Sequence, residues 1–436
     1  MILVPVFAPQ TSLAMLRFSS FLFFLWIGIS LSKAQGLNQD LGLPLWQGSS
    51  LWVEDAASVA RRLKIPGGSN EQTGHFKKNF EADTKIFGVR AYTIEIYSEK
   101  SKVGRVNIGL INRADLFNEV MQEAKASGKS LSEAQAFVEL EKRMLRDAPT
   151  DFATLTANIA RRLGRPNIKD EPQEKIWDWS GHLLAAERTP TAITLKISSP
   201  EKARLADVTD PARAAMNAAA KSRDSVKRRP NGDVVISGIP PISQGPRGFC
   251  VPASWEKLIR FNGLDLDVYQ LADRGGTDVQ GTMLAPFAAK MATLLEPKGF
   301  LVQFPAKGPP TMDVLRNHID AGRPVLWGMD SRQFPAWVAR SVKRTTRLPT
   351  APPATPPPDP APHALLIIGY NAGFQEVALS DSTELGARFP EIWISMADVQ
   401  ASDMGQDLVV LTPKTTSTSG TSGNSSPTGH STKRWY

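Results

Sequence analysis

A lone cysteine, Cys250, in a chain of 436 residues constrains this fold more than any other feature of the sequence. One thiol cannot form an intramolecular disulfide, so stability has to come from a buried core. The material is sufficient: 42% of the residues are hydrophobic, and the length allows two or three domains. The cysteine is also the main clue to chemistry. It follows Ile239-Pro240-Pro241-Ile242-Ser243-Gln244-Gly245-Pro246-Arg247-Gly248-Phe249, where a Gly/Pro-rich loop gives way to a helical pattern through Pro252, Trp255, Leu258 and Ile259, closed by Asn262-Gly263. A thiol at a helix N-terminus lies near unpaired N–H groups and the positive end of the helix dipole, both of which favour the nucleophilic thiolate. A cysteine serving only as a small buried hydrophobe needs no such setting.

Residues 1–35 read as a secretory signal, with Arg17 as the positive residue, Phe21 to Ile29 as a short apolar core, and Ser32-Lys33-Ala34 as the cleavage pattern; Met15 is an alternative start. The apolar core is shorter than the ~20 residues of a membrane span, so no span is expected after cleavage and the mature protein is expected to be secreted or periplasmic. The net charge of +8 is spread along the chain, densest over Lys221-Ser222-Arg223-Asp224-Ser225-Val226-Lys227-Arg228-Arg229. No nucleic-acid-binding module accompanies it, and no nucleic-acid partner is expected.

The N-terminal part reads as an α+β module over 36–200. Ser50 is expected to cap a helix with Trp52, Ala56, Val59, Ala60 and Leu63 on one face, and Val89 to Tyr97 with Val103 to Ile111 to form a hairpin. Asp115 opens a helix. Ser130-Leu131-Ser132-Glu133 reads as a capping box before a helix ending near Arg146, and Asp151 begins another. The ending Ala160-Arg161-Arg162-Leu163 repeats Ala60-Arg61-Arg62-Leu63, and Thr194-Leu195-Lys196-Ile197 resembles Thr93-Ile94-Glu95-Ile96, which suggests two copies of a helix-then-strands unit. Trp177, Trp179 and His182 read as core and rim of a sheet. No cofactor or metal set is expected, because His75, His182 and His430 lie apart from any cysteine or carboxylate pattern.

Residues 201–231 read as a basic linker with one exposed helix, and 232–413 as a second domain of alternating short strands and helices. Residues 343–362 read as a proline-rich extended insertion, and 414–436 as a disordered tail. His363 opens an apolar strand, His363-Ala364-Leu365-Leu366-Ile367-Ile368-Gly369-Tyr370, and the strand after it ends at Asp381. A cysteine nucleophile needs a base, a group to orient the base, and donors for the oxyanion. Cys250, His363 and Asp381 supply the nucleophile, the base and the orienter by their places at element ends, with Asn371 and Asp398 as rivals of Asp381. Gln244 is placed to join the Cys250 backbone N–H as oxyanion donor if the intervening loop folds back.

A Gln-x5-Cys junction, a histidine opening an apolar strand and an aspartate ending the next strand resemble the papain-like cysteine peptidases. With Pro-x-x-x-Gln, Cys-x-Pro-Ala-Ser, His-Ala-x-x-Ile-x-Gly-Tyr and Ser-Asp-Ser, residues 232–413 are most similar to the bacteriocin-processing branch, the double-glycine leader peptidases. The resemblance implies an α+β protein with a papain-like domain behind the N-terminal module. It also implies Cys250 as nucleophile, His363 as general base and then acid, Asp381 as orienter, Gln244 as oxyanion donor, and a peptide or protein substrate. Leader specificity is not carried over, because no counterpart of that branch's transporter domain is read here. A transglutaminase-like acyltransferase and an inactive peptidase-like binding module are the alternative readings.

Overall fold

A computed structural model of the chain describes residues 38–39, 41–47, 50–65, 74–201, 210–244, 249–277, 281–306, 308–346, 362–383, 389–405 and 408–414. The expected signal, residues 347–361 of the proline-rich stretch and the tail from 415 lie outside the described residues. So does His430.

The N-terminal unit begins with two short elements where one helix was expected. Ser50 caps a 3-10 turn at Leu51–Val53, Glu54 returns to extended backbone, and Asp55 caps α1 (Ala56–Arg62) by accepting from the Ser58 N–H at 2.8 Å. A second capping carboxylate inside the apolar pattern restarts the helix. Strands β1 (His75–Asn79), β2 (Lys85–Ile86), β3 (Val89–Arg90), β4 (Thr93–Glu99) and β5 (Lys102–Asn112) follow, with β4 and β5 forming the expected hairpin. Helix α2 (Arg113–Ala126) is capped by Asn112. Helix α3 (Glu133–Leu163) is capped by Ser132 with Gln135, and it runs straight through Pro149 instead of breaking between Arg146 and Asp151. Proline removes the bond to the carbonyl four residues back, that of Leu145, whose side chain is 77% exposed, so water can reach this side of the helix. The buried stripe Leu140, Met144, Ala148, Phe152, Leu155 and Ile159 holds the two halves in line.

After α3 come β6 (Lys169–Asp170), β7 (Glu174–Trp179), β8 (His182–Arg188) and β9 (Ala192–Ser198), which join the first strands in one antiparallel sheet ordered β1-β4-β5-β9-β8-β7-β6. The first half gives the sheet three strands, β1, β4 and β5, and the second gives it four, β6 to β9; the last strands of the two halves, β5 and β9, pair with each other. The repeated Ala-Arg-Arg-Leu ends helices at matching places in the two halves. The strand echo does not match in this way: Thr93 lies in β4, between β1 and β5, and Thr194 in β9, the last strand of its half. Both stretches alternate alike because both face the same neighbour, described below.

The C-terminal unit starts earlier than the expected boundary. Helix α4 (Pro211–Ser225) is not a free linker, since Ala215, Ala218, Ser222 and Ser225 are buried. Gly299 and Gly322 make room for it: a Cβ there would stand 2.4 Å from the Pro211 carbonyl oxygen and 1.9 Å from that of Ser222. Then come β10 (Val226–Arg228), β11 (Val234–Ile236), α5 (Cys250–Phe261), α6 (Val268–Gly275), α7 (Leu284–Leu295), β12 (Phe300–Gln303), α8 (Met312–Ile319) and β13 (Val325–Asp330). Helix α9 (Phe334–Thr346) covers the start of the stretch expected to be extended, because Phe334, Trp337, Val338 and Ser341 give it a buried stripe. Strands β14 (Pro362–Asn371), β15 (Glu376–Ser380) and β16 (Ile392–Ser395), helix α10 (Met396–Ser402) and β17 (Val409–Pro413) complete the unit.

Its sheet runs β10-β11-β14-β13-β17-β12, with β15 on the other edge of β14 and β16 beyond it. Helices α5 and α7 cover one face through Leu326, Ala364, Leu366 and Ala378, and α8 and α9 cover the other through Val325, Trp327, Leu365 and Ile367.

The two units share a buried boundary. In β4, β5 and β9, Ile94, Ile96, Val106, Ile108, Leu195 and Ile197 point into the core under the N-terminal helices. The alternate residues face α5 and α6: Thr93 Oγ1 is 3.0 Å from Tyr269 OH, Arg105 Nη1 2.7 Å from Asp265, and Lys196 Nζ 3.1 Å from Asp267. Tyr97 and Ala192 pack there with Ile242, Phe249, Ala253 and Val268.

Candidate active site

Cys250 is the first residue of α5, and Phe249, its N-cap, offers no side-chain acceptor to the helix N–H groups. Pro252 occupies the first turn, where its missing N–H costs nothing. Cys250 is in no disulfide, and the residue as a whole is half-buried. Three residues of one stripe, Cys250, Ser254 and Lys257, meet the sheet, while Ala253 packs against the N-terminal unit and the Arg260 guanidinium lies 4.2 Å from the centre of the Tyr97 ring.

β14 starts beside the thiol. His363 Nε2 is 2.5 Å from Asp381 Oδ1, which leaves Nδ1 as the nitrogen that can serve Cys250, and the ring acts electrostatically on the thiol. Asp381 lies one residue past β15. Its second oxygen accepts from the Thr383 N–H at 2.9 Å and from the Thr383 hydroxyl, so both carboxylate oxygens are occupied. His363 and Asp381 are both buried, which strengthens their mutual attraction.

The electrostatics shift the Cys250 thiol down and the His363 imidazole up. Burial pushes the Cys250 thiol up, but the hydrogen bond and charge of His363, with the Ala364 and Val251 backbone N–H groups, leave it below its ordinary value. Burial pulls His363 down, and the Asp381 charge and hydrogen bond, together with Cys250, push it up to about 10. For Asp381, burial raises the pKa, and His363, Thr383 and Lys257 bring it down to about 2. A sulfur that carries the negative charge while its partner carries the proton is an activated nucleophile beside a ready acid.

Gln244 joins the same corner from the loop before α5. Its backbone N–H donates to the Ser382 carbonyl at 2.8 Å, and the Ser382 hydroxyl donates to its Oε1 at 2.9 Å, which directs the amide nitrogen away from Ser382. The loop over 245–248, which was expected to fold Gln244 back toward Cys250, lies outside the described residues. Ser243 N–H donates to His75 Nδ1 at 3.4 Å, so the N-terminal unit touches this loop as well.

The rivals of Asp381 are engaged elsewhere. Asn371 bonds to Asn231 and Asp233 at a turn, and Asp398 caps α10 while accepting from Trp337 and Arg340. His182 stacks on Trp46 at 4.9 Å, within the core-and-rim cluster that Trp177 and Trp179 complete.

Four contributors were not foreseen. Ser254 Oγ donates to the Ala364 carbonyl at 3.0 Å, Lys257 Nζ to Ser380 Oγ at 3.1 Å and to the Asp381 carbonyl, and Ser382 and Thr383 act as described. The sequence did show Ser254 and Ser382 within the motifs Cys-x-Pro-Ala-Ser and Ser-Asp-Ser, without a partner for either, and Lys257 as a cation two turns after Cys250.

Residues 236–400 match the Peptidase_C39 like family. No curated protein matches the chain. Among solved structures, the chain is similar to the peptidase domain of Streptococcus ComA, described as a bi-functional ABC transporter involved in a quorum sensing pathway, at 17% identity over 39% of this chain and 96% of that one, with a TM-score of 0.26. It is also similar to xylellain, a cysteine protease from Xylella fastidiosa, at 13% identity over 44% and 88%, TM-score 0.30. A double glycine motif protease from an AMS/PCAT transporter, in complex with its leader peptide, is similar at 11% identity over 40% and 91%, TM-score 0.22. At these TM-scores the likeness rests on the family match: residues 236–400, in the α+β C-terminal unit behind an α+β module, resemble the Peptidase_C39 like family.

Proposed function

We propose that the Peptidase_C39-like domain of this chain is a cysteine peptidase that hydrolyses peptide bonds in an exported setting. The observation that carries the reading is the pairing of His363 with Asp381 at 2.5 Å, beside a thiol held below its ordinary pKa. Cys250 attacks the peptide carbonyl as the thiolate, and His363 then gives its proton to the departing amine, leaving an acyl-enzyme. His363 next takes a proton from water as the water attacks the thioester carbonyl, and the thiolate is released with the acid product. Asp381 keeps the imidazole oriented and stabilises its charge. Gln244 and the Cys250 N–H are assigned to the oxyanion. Export is read from residues 1–35 alone.

Mass spectrometry of a peptide library incubated with the protein tests this reading, with Cys250→Ala as control and an added primary amine in a parallel sample. Cleaved products that disappear with Cys250→Ala are expected. Amine adducts in place of free acids would assign an acyltransferase. An intact library with the folded wild-type protein would leave a binding module.

A further inference from the structure

We propose that Lys257 is a positioning residue: its buried ammonium ties the segment carrying Asp381 to the helix carrying Cys250. This rests on the peptidase reading above. Cys250, Ser254 and Lys257 stand at i, i+4 and i+7 on α5, so they share one face. Each reaches a different part of the candidate site. The thiol meets His363, Ser254 holds the Ala364 carbonyl beside it, and Lys257 holds Ser380 Oγ and the backbone carbonyl of Asp381. The nucleophile helix is thereby fastened to both strands that bring its partners.

A lysine is a costly way to make such a link. Lys257 is 1% exposed, and among the described residues no carboxylate oxygen lies within ion-pair distance of its ammonium. Desolvating a cation without a direct counter-charge is strongly unfavourable. An apolar residue would fill the same place between helix and sheet without that cost. What the ammonium adds is a donor for the Asp381 carbonyl and a positive charge near its carboxylate, which favours the ionised form needed to hold His363 as imidazolium. Burial pulls Lys257 itself down to about 8, against the opposing charge of Asp381. Asp381, at the end of β15, is the charged group that faces it. His363 and Cys250 lie beyond Asp381, and on its own helix Glu256 is paired with Arg260.

The test needs no substrate. The rate of Cys250 alkylation by iodoacetamide is followed against pH in the full chain, with circular dichroism and thermal melting as fold controls. The wild type is expected to show two limbs, thiol ionisation on the acid side and loss of the imidazolium on the alkaline side. In Lys257→Met the acid limb should move up by about one pH unit, an approximately tenfold fall in thiolate at the acid edge, while the alkaline limb stays in place because Lys257, at about 8, is already uncharged where His363 loses its proton. Lys257→Gln, which keeps a donor but no charge, should move the acid limb in the same sense, and it decides the matter if the Met variant does not fold. A plateau unchanged in a folded variant overturns the assignment to Lys257. A wild-type profile with a single ordinary thiol titration overturns the peptidase reading instead.

Discussion

His363 and Asp381 set opposite pH limits on the same corner of the molecule. Asp381, at about 2, lies below its ordinary 3.8, so it contributes stability fully present above pH 4, which is lost as pH falls through about 2. His363, at about 10, lies above its ordinary 6.5, so its contribution is fully present below about pH 6 and is lost as pH rises through about 10. Urea denaturation of wild type and Asp381→Asn should therefore show the largest stability gap between these limits, closing toward pH 2 and again toward pH 10. A gap independent of pH would mean that the pair is not coupled. In turnover, Asp381→Ala should lower kcat/KM by about 10²- to 10⁴-fold, as expected when the group that orients a base is lost. Cys250, His363 and Asp381 stood out in the sequence because each lies at the end of a helix or strand, where composition changes abruptly. Ser254, Lys257 and Ser382 were hidden because their partners are more than 100 residues away in the chain. No local pattern reports such a partner.

Elements were legible where one local signal dominated and misread where two signals competed. The β4–β5 hairpin is set by the turn residues Lys100 and Ser101, both at positive φ, between two β-rich runs. Helix α3 carried opposed signals, since Pro149 argues for a break and the buried stripe from Leu140 to Ile159 argues for continuity. Burial won because six core contacts outweigh one missing hydrogen bond and a ring clash, together worth about 3 kcal/mol. Pro149→Ala should accordingly raise the thermal midpoint, with a gain of up to about 3 kcal/mol. A lower midpoint would show that the proline is stabilising where it stands. In β4, β5 and β9, polar residues alternate with apolar ones, the usual sequence pattern of a sheet with one wet face. That face is covered by α5 and α6, and nothing within the strands distinguishes water from a polar neighbour.

At the scale of the whole molecule, this covered face decides whether the N-terminal unit is removable. Arg105–Asp265, Lys196–Asp267 and Thr93–Tyr269 cross the boundary, and Tyr97, Ala192, Phe249 and Ala253 pack among them behind the helix that carries Cys250. Asp267 is fully buried, so withdrawing Lys196 would strand a charge away from water. Breaking one side of such a pair costs about 3–5 kcal/mol, whereas exposed pairs contribute about 0–1 kcal/mol. A pro-segment shed on activation would have to strip all these partners from the helix that carries Cys250. We therefore expect the unit to stay bound as a permanent support. A specific protease site introduced within residues 202–209 and then cut should leave two fragments that co-elute in gel filtration, even in high salt, since buried pairs are weakly screened. Lys196→Met should loosen them, with a lower melting midpoint and slower Cys250 alkylation. Fragments that separate on cutting while the C-terminal one keeps or gains thiol reactivity would make the N-terminal unit a removable pro-segment.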